Sequence, residues 1–325
     1  MFFLSVRRPW LCGVVVQSRG DAMPWIAAVN STNTGNGNKL TALPLVGWTA
    51  RGGLPVAFTL SHSSQSAYNA DLGQKWSHTY DIVLTVTAGN FMIAQNPDVG
   101  SNTTSPVAVT WGEGQSYTFS SDGSGGFVAP TGVHDALVQN IDNTYTLTRP
   151  DQTQYHFSAA LFCDTIKDEN GSTVTINRNA ANQVTTVVDP TGRTLTLGYD
   201  ASSRVRTVTD PLGRVWTLTY DASNQLTQVA FPAVGGSVYS MGYGYNVAHD
   251  ITSVTDLKGN VSTRGYNTDD SLAWEKDAAL NQTSYGYTLT ATTVTDPNGR
   301  ATVYTYSGGR VSQVKDALLN HEDSL

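Results

Sequence analysis

From about residue 168 the sequence repeats itself roughly every 21 residues, and that period limits the fold more than any other feature. The clearest units open Asp189-Pro-Thr-Gly-Arg193, Asp210-Pro-Leu-Gly-Arg214 and Asp296-Pro-Asn-Gly-Arg300. Looser openings are Asp168-Glu-Asn-Gly171, Asp256-Leu-Lys-Gly-Asn260, Asp277-Ala-Ala-Leu-Asn281 and Asp316-Ala-Leu-Leu-Asn320. The spacings are 21 (168 to 189), 21 (189 to 210), 46 (210 to 256), 21 (256 to 277), 19 (277 to 296) and 20 (296 to 316). The long gap holds a degenerate unit, with Phe231-Pro232 where Asp-Pro is expected. A fixed period of this size marks a repeat architecture.

One unit reads as a hairpin. Asp at the first turn position accepts from the backbone, Pro presets φ at the second, and Gly suits the fourth. A strand with period-2 alternation follows: Leu195, Leu197 and Tyr199 on one face, Thr194, Thr196 and Gly198 on the other. Trp216, Leu218 and Tyr220 repeat the first face, so these residues are expected to be buried and Thr194, Thr196, Thr217 and Thr219 more exposed. After a polar link comes a second strand, in which Val205/Val208 and Leu226/Val229 stand three apart. That spacing needs a bulge or a strong twist. The Tyr that closes the first strand recurs at 199, 220, 266, 287 and 306. It reads as a strand-end aromatic packed on the neighbouring hairpin with its hydroxyl in water, the alternative being a ladder that stacks sugars or bases.

Composition narrows the function classes. Charged residues make up 14% of the chain, against roughly 25% in ordinary domains. Net charge is −7 and no Lys/Arg run occurs, which argues against nucleic acid. No stretch approaches the roughly 18 apolar residues of a membrane-spanning helix, so the chain is not expected to span a membrane. Cys12 and Cys163 are expected as free thiols. Phe2-Phe-Leu4, Arg7-Arg8 and the run Trp10 to Val16 make no convincing signal peptide, and Met23 offers an alternative start.

The expected organisation has three parts. Residues 1–36 are a disordered leader and linker, the stretch 31–38 having no capacity to fold alone. Residues 37–165 are a β-rich N-terminal region, and 166–325 hold about seven repeat units plus a truncated eighth. In the second part strands are expected at Leu54 to Leu60 and Asp81 to Val86. Hairpins are expected around Gly112-Glu-Gly114 and Arg149-Pro-Asp-Gln152. The fold class is all-β, an antiparallel hairpin repeat array behind a β-rich N-terminal region.

Taken together these residues resemble the RHS family, also called YD repeats after pairs such as Tyr199-Asp200 and Tyr220-Asp221. The units at 189 and 210 fit Gly-Arg-x-x-x-x-x-Tyr-Asp closely, while Tyr266-Asn267, Tyr287-Thr288 and Tyr306-Ser307 lose the Asp. Asn36-Gly-Asn38, Gly53-Leu-Pro-Val56, Asp71-Leu-Gly-Gln-Lys-Trp76 with Tyr80-Asp81, and Asp168-Glu-Asn-Gly171 are similar to the region preceding RHS repeats. The resemblance implies a β-strip spiralling into a hollow shell around a C-terminal toxin, used in interbacterial competition or insecticidal delivery, with teneurins as an adhesive variant. It implies as partners the rest of the shell, the toxin and secretion-machinery proteins, in a secreted or cell-surface setting. The core-closing motif and effector domain are not found before Leu325, so a truncated fragment is expected.

Catalytic, cofactor and metal residues are expected to be none. His62, His78, His134, His156, His249 and His321 are scattered without ligand spacing. His156 reads as a sheet residue, Gly235-Gly236 and Gly242-x-Gly244 as turn and bulge glycines, and Asp269-Asp270 and Asp164/Asp168 as turn residues. The turn Asp residues lie too far apart for a calcium loop. Three functions compete: a structural shell segment of a polymorphic toxin, a surface adhesin or carbohydrate-binding wall module, and a glycan-acting enzyme. For the fragment alone the expectation is an unpaired edge at Thr302 to Val314, no complete strand within 316–325, association edge to edge, no enclosed cavity and no activity.

Overall fold

In each unit the Asp-Pro-x-Gly turn and the Tyr-Asp turn reverse the chain at opposite edges, so consecutive hairpins pair into one sheet. The computed structural model describes residues 28–87, 105–122, 126–316 and 322–324. Nineteen antiparallel strands lie side by side in strict chain order, from Ala136–Gln139 to Glu322–Ser324. Turns fall at Pro190, Pro211 and Pro297 as expected. The helical content of the described residues is the short 3₁₀ turn Arg51–Gly53. Readings placed on residues 1–27, including Cys12 and Met23, and on 317–321 lie outside the described residues.

The face assignment holds. Leu195, Leu197, Trp216 and Leu218 are buried, while Thr196 and Thr219 are exposed and Thr194 and Thr217 half-buried. The three-residue apolar spacing in the second strand is a bulge. Tyr199 pairs with Val205 and Gly198 with Thr207, so Arg206 is the extra residue that lets Val205 and Val208 face the same side. The same shift recurs at Gly244/Tyr245 and Gly265/Tyr266. Gly244 is therefore a strand glycine at a bulge, within Ser240–Tyr245, and neither it nor Gly242 is in a turn. A Cβ at Gly244 would sit 2.5 Å from the Ser253 hydroxyl. Gly235 and Gly236 do turn the chain, both at positive φ.

Three expectations are corrected. The sheet starts at Ala136 rather than 166, because the hairpins at 145–157 and 163–178 carry the same alternation and pair without interruption. The stretch 31–38 is not a passive linker. Thr32–Asn33 pairs with Ala28–Val29, and Thr32, Thr34 and Asn38 are buried, Thr34 bonded by Thr292 and Tyr306 of the sheet and Asn38 by Ser63, Ser64 and Gln65. The Thr302 to Val314 edge is paired: Ala301–Ser307 bonds strands on both sides, and Arg310–Asp316 accepts Glu322–Ser324 as a further strand.

The N-terminal region forms a three-stranded sheet (Leu40–Thr49, Pro55–Ser63, Trp76–His78) and a four-stranded one (Val83–Val86, Val107–Thr110, Ser116–Ser121, Phe127–Val128). Both lie against the apolar face of the long sheet. One buried cluster joins Phe58, Leu60, Trp76 and Phe119 to Leu195, Trp216, Leu218 and Val229. Each such side chain contributes about 1.5–3 kcal/mol of burial, so the two parts share one core.

Candidate functional site

The periodic residues are used up by local structure. In the Asp189 turn Oδ1 accepts the backbone N–H of Thr191 (2.8 Å) and Arg193 (3.0 Å), while Oδ2 accepts the Arg193 guanidinium at 2.6 Å. Asp210 and the Tyr-Asp residue Asp200 repeat the arrangement with Arg214 and Arg204. The residue before the Arg is at positive φ, Gly192 and Gly213 in one turn type, Ser203 in the other, giving a three-residue hairpin loop with its bulge. Burial alone would raise the Asp200 and Asp210 carboxyls, but these bonds outweigh it and hold both below the usual range.

The tyrosines form a ladder, and here the sequence reading needs correction. The hydroxyl of Tyr199 donates to the carbonyl of Val184 at 2.7 Å, Tyr220 to Val205 at 2.8 Å, Tyr266 to Ile251 at 3.1 Å and Tyr287 to Leu272 at 2.8 Å. Each therefore reaches back to the bulged strand of the preceding unit instead of to water, because the bulge leaves that carbonyl free of a ladder partner. Burial pushes the phenols up. Tyr245 is a rung that the period missed, bonding Leu226 at 2.5 Å. The insertion at 231–239 displaced it from its 21-residue position. Tyr306 departs from the pattern and donates to the Thr34 hydroxyl at 2.5 Å.

The N-terminal region is fastened along this sheet by a seam of polar contacts. Its main clamp is Lys75, whose Nζ donates to Asp250 (2.8 Å), Asp270 (2.9 Å) and the Ser64 carbonyl (2.5 Å). Asp250 is wholly buried. Lys75 adopts a positive φ of 62°, uncommon outside glycine, which directs the chain into the clamp. A second clamp joins Lys39 to Glu275 at 2.7 Å, where burial lowers the Lys39 amine to about 8. Trp76 donates to the Tyr245 hydroxyl at 2.9 Å and packs edge-on against Tyr243. At the far end Trp48 donates to Asp189 at 3.0 Å.

Two glycines let the backbones meet. A Cβ on Gly73 would lie 2.1 Å from the Asn224 carbonyl. Gly37, in Asn36-Gly-Asn38, sits under Ser271 and Tyr287, and its carbonyl accepts the Leu272 N–H at 2.9 Å. Asn38 Oδ1 meanwhile accepts from Ser63, Ser64 and Gln65. The motifs Asn36-Gly-Asn38 and Asp71 to Trp76 thus meet the Tyr-Asp turn edge directly.

The scattered histidines are not all isolated. Asp71, His78 and Asp81 converge beneath the seam, with His78 Nε2 3.3 Å from Asp81 and 3.7 Å from Asp71. Sequence spacing hid this, because the Gly73 turn and the Trp76–His78 strand fold the 71–81 stretch back on itself. His78 Nδ1 accepts the Tyr80 N–H, so the ring proton lies on Nε2 and faces the carboxylates. The three side chains form a buried cluster in which Nε2 lies close to both carboxylates without completing a hydrogen bond to either. Burial lifts Asp81 to about 6. His62 is buried, lowered by burial to about 3, and bonds the His249 carbonyl at 3.1 Å. His156 lies in its strand and pairs with Asp164 at 2.6 Å, which is thus not a turn residue, whereas Asp168 is one. Of the adjacent pair, Asp269 caps its turn and Asp270 reaches Lys75. His134 is exposed, and Cys163 is a buried free thiol that burial pushes up.

Residues 178–211 and 199–233 each match the RHS repeat model, the same units whose turns and rungs are described above. The chain carries RHS repeats. Residues 30–119, the part that lines the seam, match a domain of unknown function, DUF6531. No curated protein matches the sequence. Among solved structures, the TcdB2-TccC3-TEV crystal structure aligns over 85% of this chain at 12% identity with a TM-score of 0.30. The Photorhabdus luminescens Tc holotoxin pore aligns over 86% at 10% identity with a TM-score of 0.18. This chain spans about a fifth of the length of these structures, 20% and 22%.

Proposed function

We propose that this chain is a non-catalytic wall segment of an RHS shell that, in its full-length form, encloses a C-terminal toxin and acts outside the producing cell. The reading is carried by one observation: the recurring Asp, Arg and Tyr side chains are spent on holding hairpin to hairpin. The N-terminal region is spent in turn on plating one face of the resulting sheet. Such an array grows by lateral addition of units and is suited to build a wall. Within the proposed organisation, residues 37–165 precede the repeats and 166–325 hold them; the plating part is the stretch before Ala136, where the wall begins. The tyrosine hydroxyls bond backbone carbonyls, which weakens the alternative of a sugar-stacking adhesin surface.

The test is electron microscopy of the protein made from its complete reading frame, with protease digestion and a glycan array in parallel. A closed β-walled particle that shields an internal segment from protease supports the shell. An open sheet that binds glycans with no protected segment overturns it.

A further inference from the structure

The Asp-Pro-x-Gly turns all lie along one edge of the sheet, and their tips change character part-way along it. At the units opening at 168, 189 and 296 the exposed tips are polar: Asn170, Thr191 and Asn298. Between them the tips become apolar. Leu212 is 79% exposed, Val234 72%, Val238 63% and Leu280 75%, with Tyr239 and Leu257 also exposed. These residues sit on four consecutive turns, because the strands carrying them are neighbours in the sheet. Alternate turns are two strands apart, about 10 Å, so the apolar tips span about 30 Å. The opposite, Tyr-Asp edge also carries exposed apolar tips, Ile141, Val247 and Leu289, but on turns that are not adjacent, and part of that edge is covered by residues 62–75.

Two features have no explanation in the fold. The 231–239 insertion breaks the 21-residue period and adds Val234, Val238 and Tyr239 to this edge. Leu280 stands where Gly192, Gly213 and Gly299 stand in the other turns, at φ 65°. A leucine in that conformation costs of order 1 kcal/mol or more and gains no burial within the chain. Contiguous exposed apolar surface held at such a cost marks an interaction site.

The charges choose the partner. The 210 end of the patch carries the half-exposed Arg214 guanidinium, and the 277 end carries exposed Asp277. The centre of the patch falls between the uncharged 231–239 insertion and the 256 turn, which carries one charge of each sign, Asp256 and Lys258. A two-fold axis through the centre would set Arg214 of one chain against Asp277 of another and bury the apolar tips between them, as an isologous contact requires. We infer that this turn edge is a self-association surface, and that its partner is a second copy of this chain lying antiparallel to it. The surface is independent of the shell reading, since it uses neither the seam nor an enclosed cargo.

Sedimentation velocity on the 325-residue chain across a concentration series tests this. The wild type should sediment as a dimer. V234D/V238D should weaken dimerisation about tenfold or more. D277N, which keeps the turn's hydrogen-bond acceptor, should weaken it at low salt and match wild type at high salt. L280G is the sharpest case: it relieves the backbone, so the melting temperature should rise while the dimer weakens. A wild type that is monomeric throughout overturns the proposal, as does a dimer that V234D/V238D and L280G both leave unchanged.

Discussion

Replacing Lys75 with methionine should detach more stability than any other single change at the seam. Methionine keeps the length of the stem and, like lysine, must sit at positive φ, so the backbone cost cancels. What is lost is the ammonium. Asp250, wholly buried, would keep only the Asn246 amide (3.1 Å) as a side-chain partner. Removing one member of a buried ion pair costs about 3–5 kcal/mol because the other charge is left uncompensated. For a domain of this size that is a fall of roughly 5–8 °C in Tm. Asp270 is partly exposed, and D270N should cost less than about 1.5 kcal/mol. Adding D250N to K75M should recover most of the loss, since a buried amide needs no counter-ion. Differential scanning calorimetry of wild type, K75M, D250N and K75M/D250N closes the cycle, with D270N measured beside them. If K75M melts within about 1 kcal/mol of wild type, or no lower than D270N, water screens the clamp and the reasoning fails.

Gly73→Ala should drive a methyl into the Asn224 carbonyl, lifting residues 62–75 from the sheet. Limited proteolysis should then cut that stretch in the variant while the wild type resists. Tyr220→Phe should cost about 1–3 kcal/mol by leaving the Val205 carbonyl unpaired, read as a shifted denaturation midpoint with unchanged slope. An unchanged midpoint would mean that the ladder carries no stability. The turn carboxyls Asp200 and Asp210, held low when folded, stabilise fully above about pH 4 and lose that contribution as pH falls through their folded values. Asp81, raised by burial to about 6, has the opposite sign, contributing below about pH 4 and fading as pH rises through about 6. Melts across this range should show D210N flattening the acid limb and D81N removing the loss of stability between about pH 4 and 6.

Much of this architecture is local, and for that reason the sequence alone determined it. An Asp that can accept its own turn's N–H groups, a Gly or Asn that tolerates positive φ, and Thr/Leu alternation act within a few residues. The 21-residue hairpin period and the buried set Leu195, Leu197, Trp216 and Leu218 follow from them. The three-apart valines signalled a bulge but not its register. What only the tertiary structure decided involves partners far apart in the chain. The Tyr220 hydroxyl needed the bulge of the preceding unit to free a carbonyl. Tyr245 was masked by an insertion that shifts sequence distance but leaves sheet order unchanged. Thr32 to Asn38 has too little apolar surface to fold alone and orders because Leu272, Thr292 and Tyr306 meet it across more than 200 residues. Lys75 and Asp250 likewise read as two surface charges until the N-terminal region is laid on the sheet. A pairing of that kind depends on the desolvation the two surfaces create together, which no window of sequence contains.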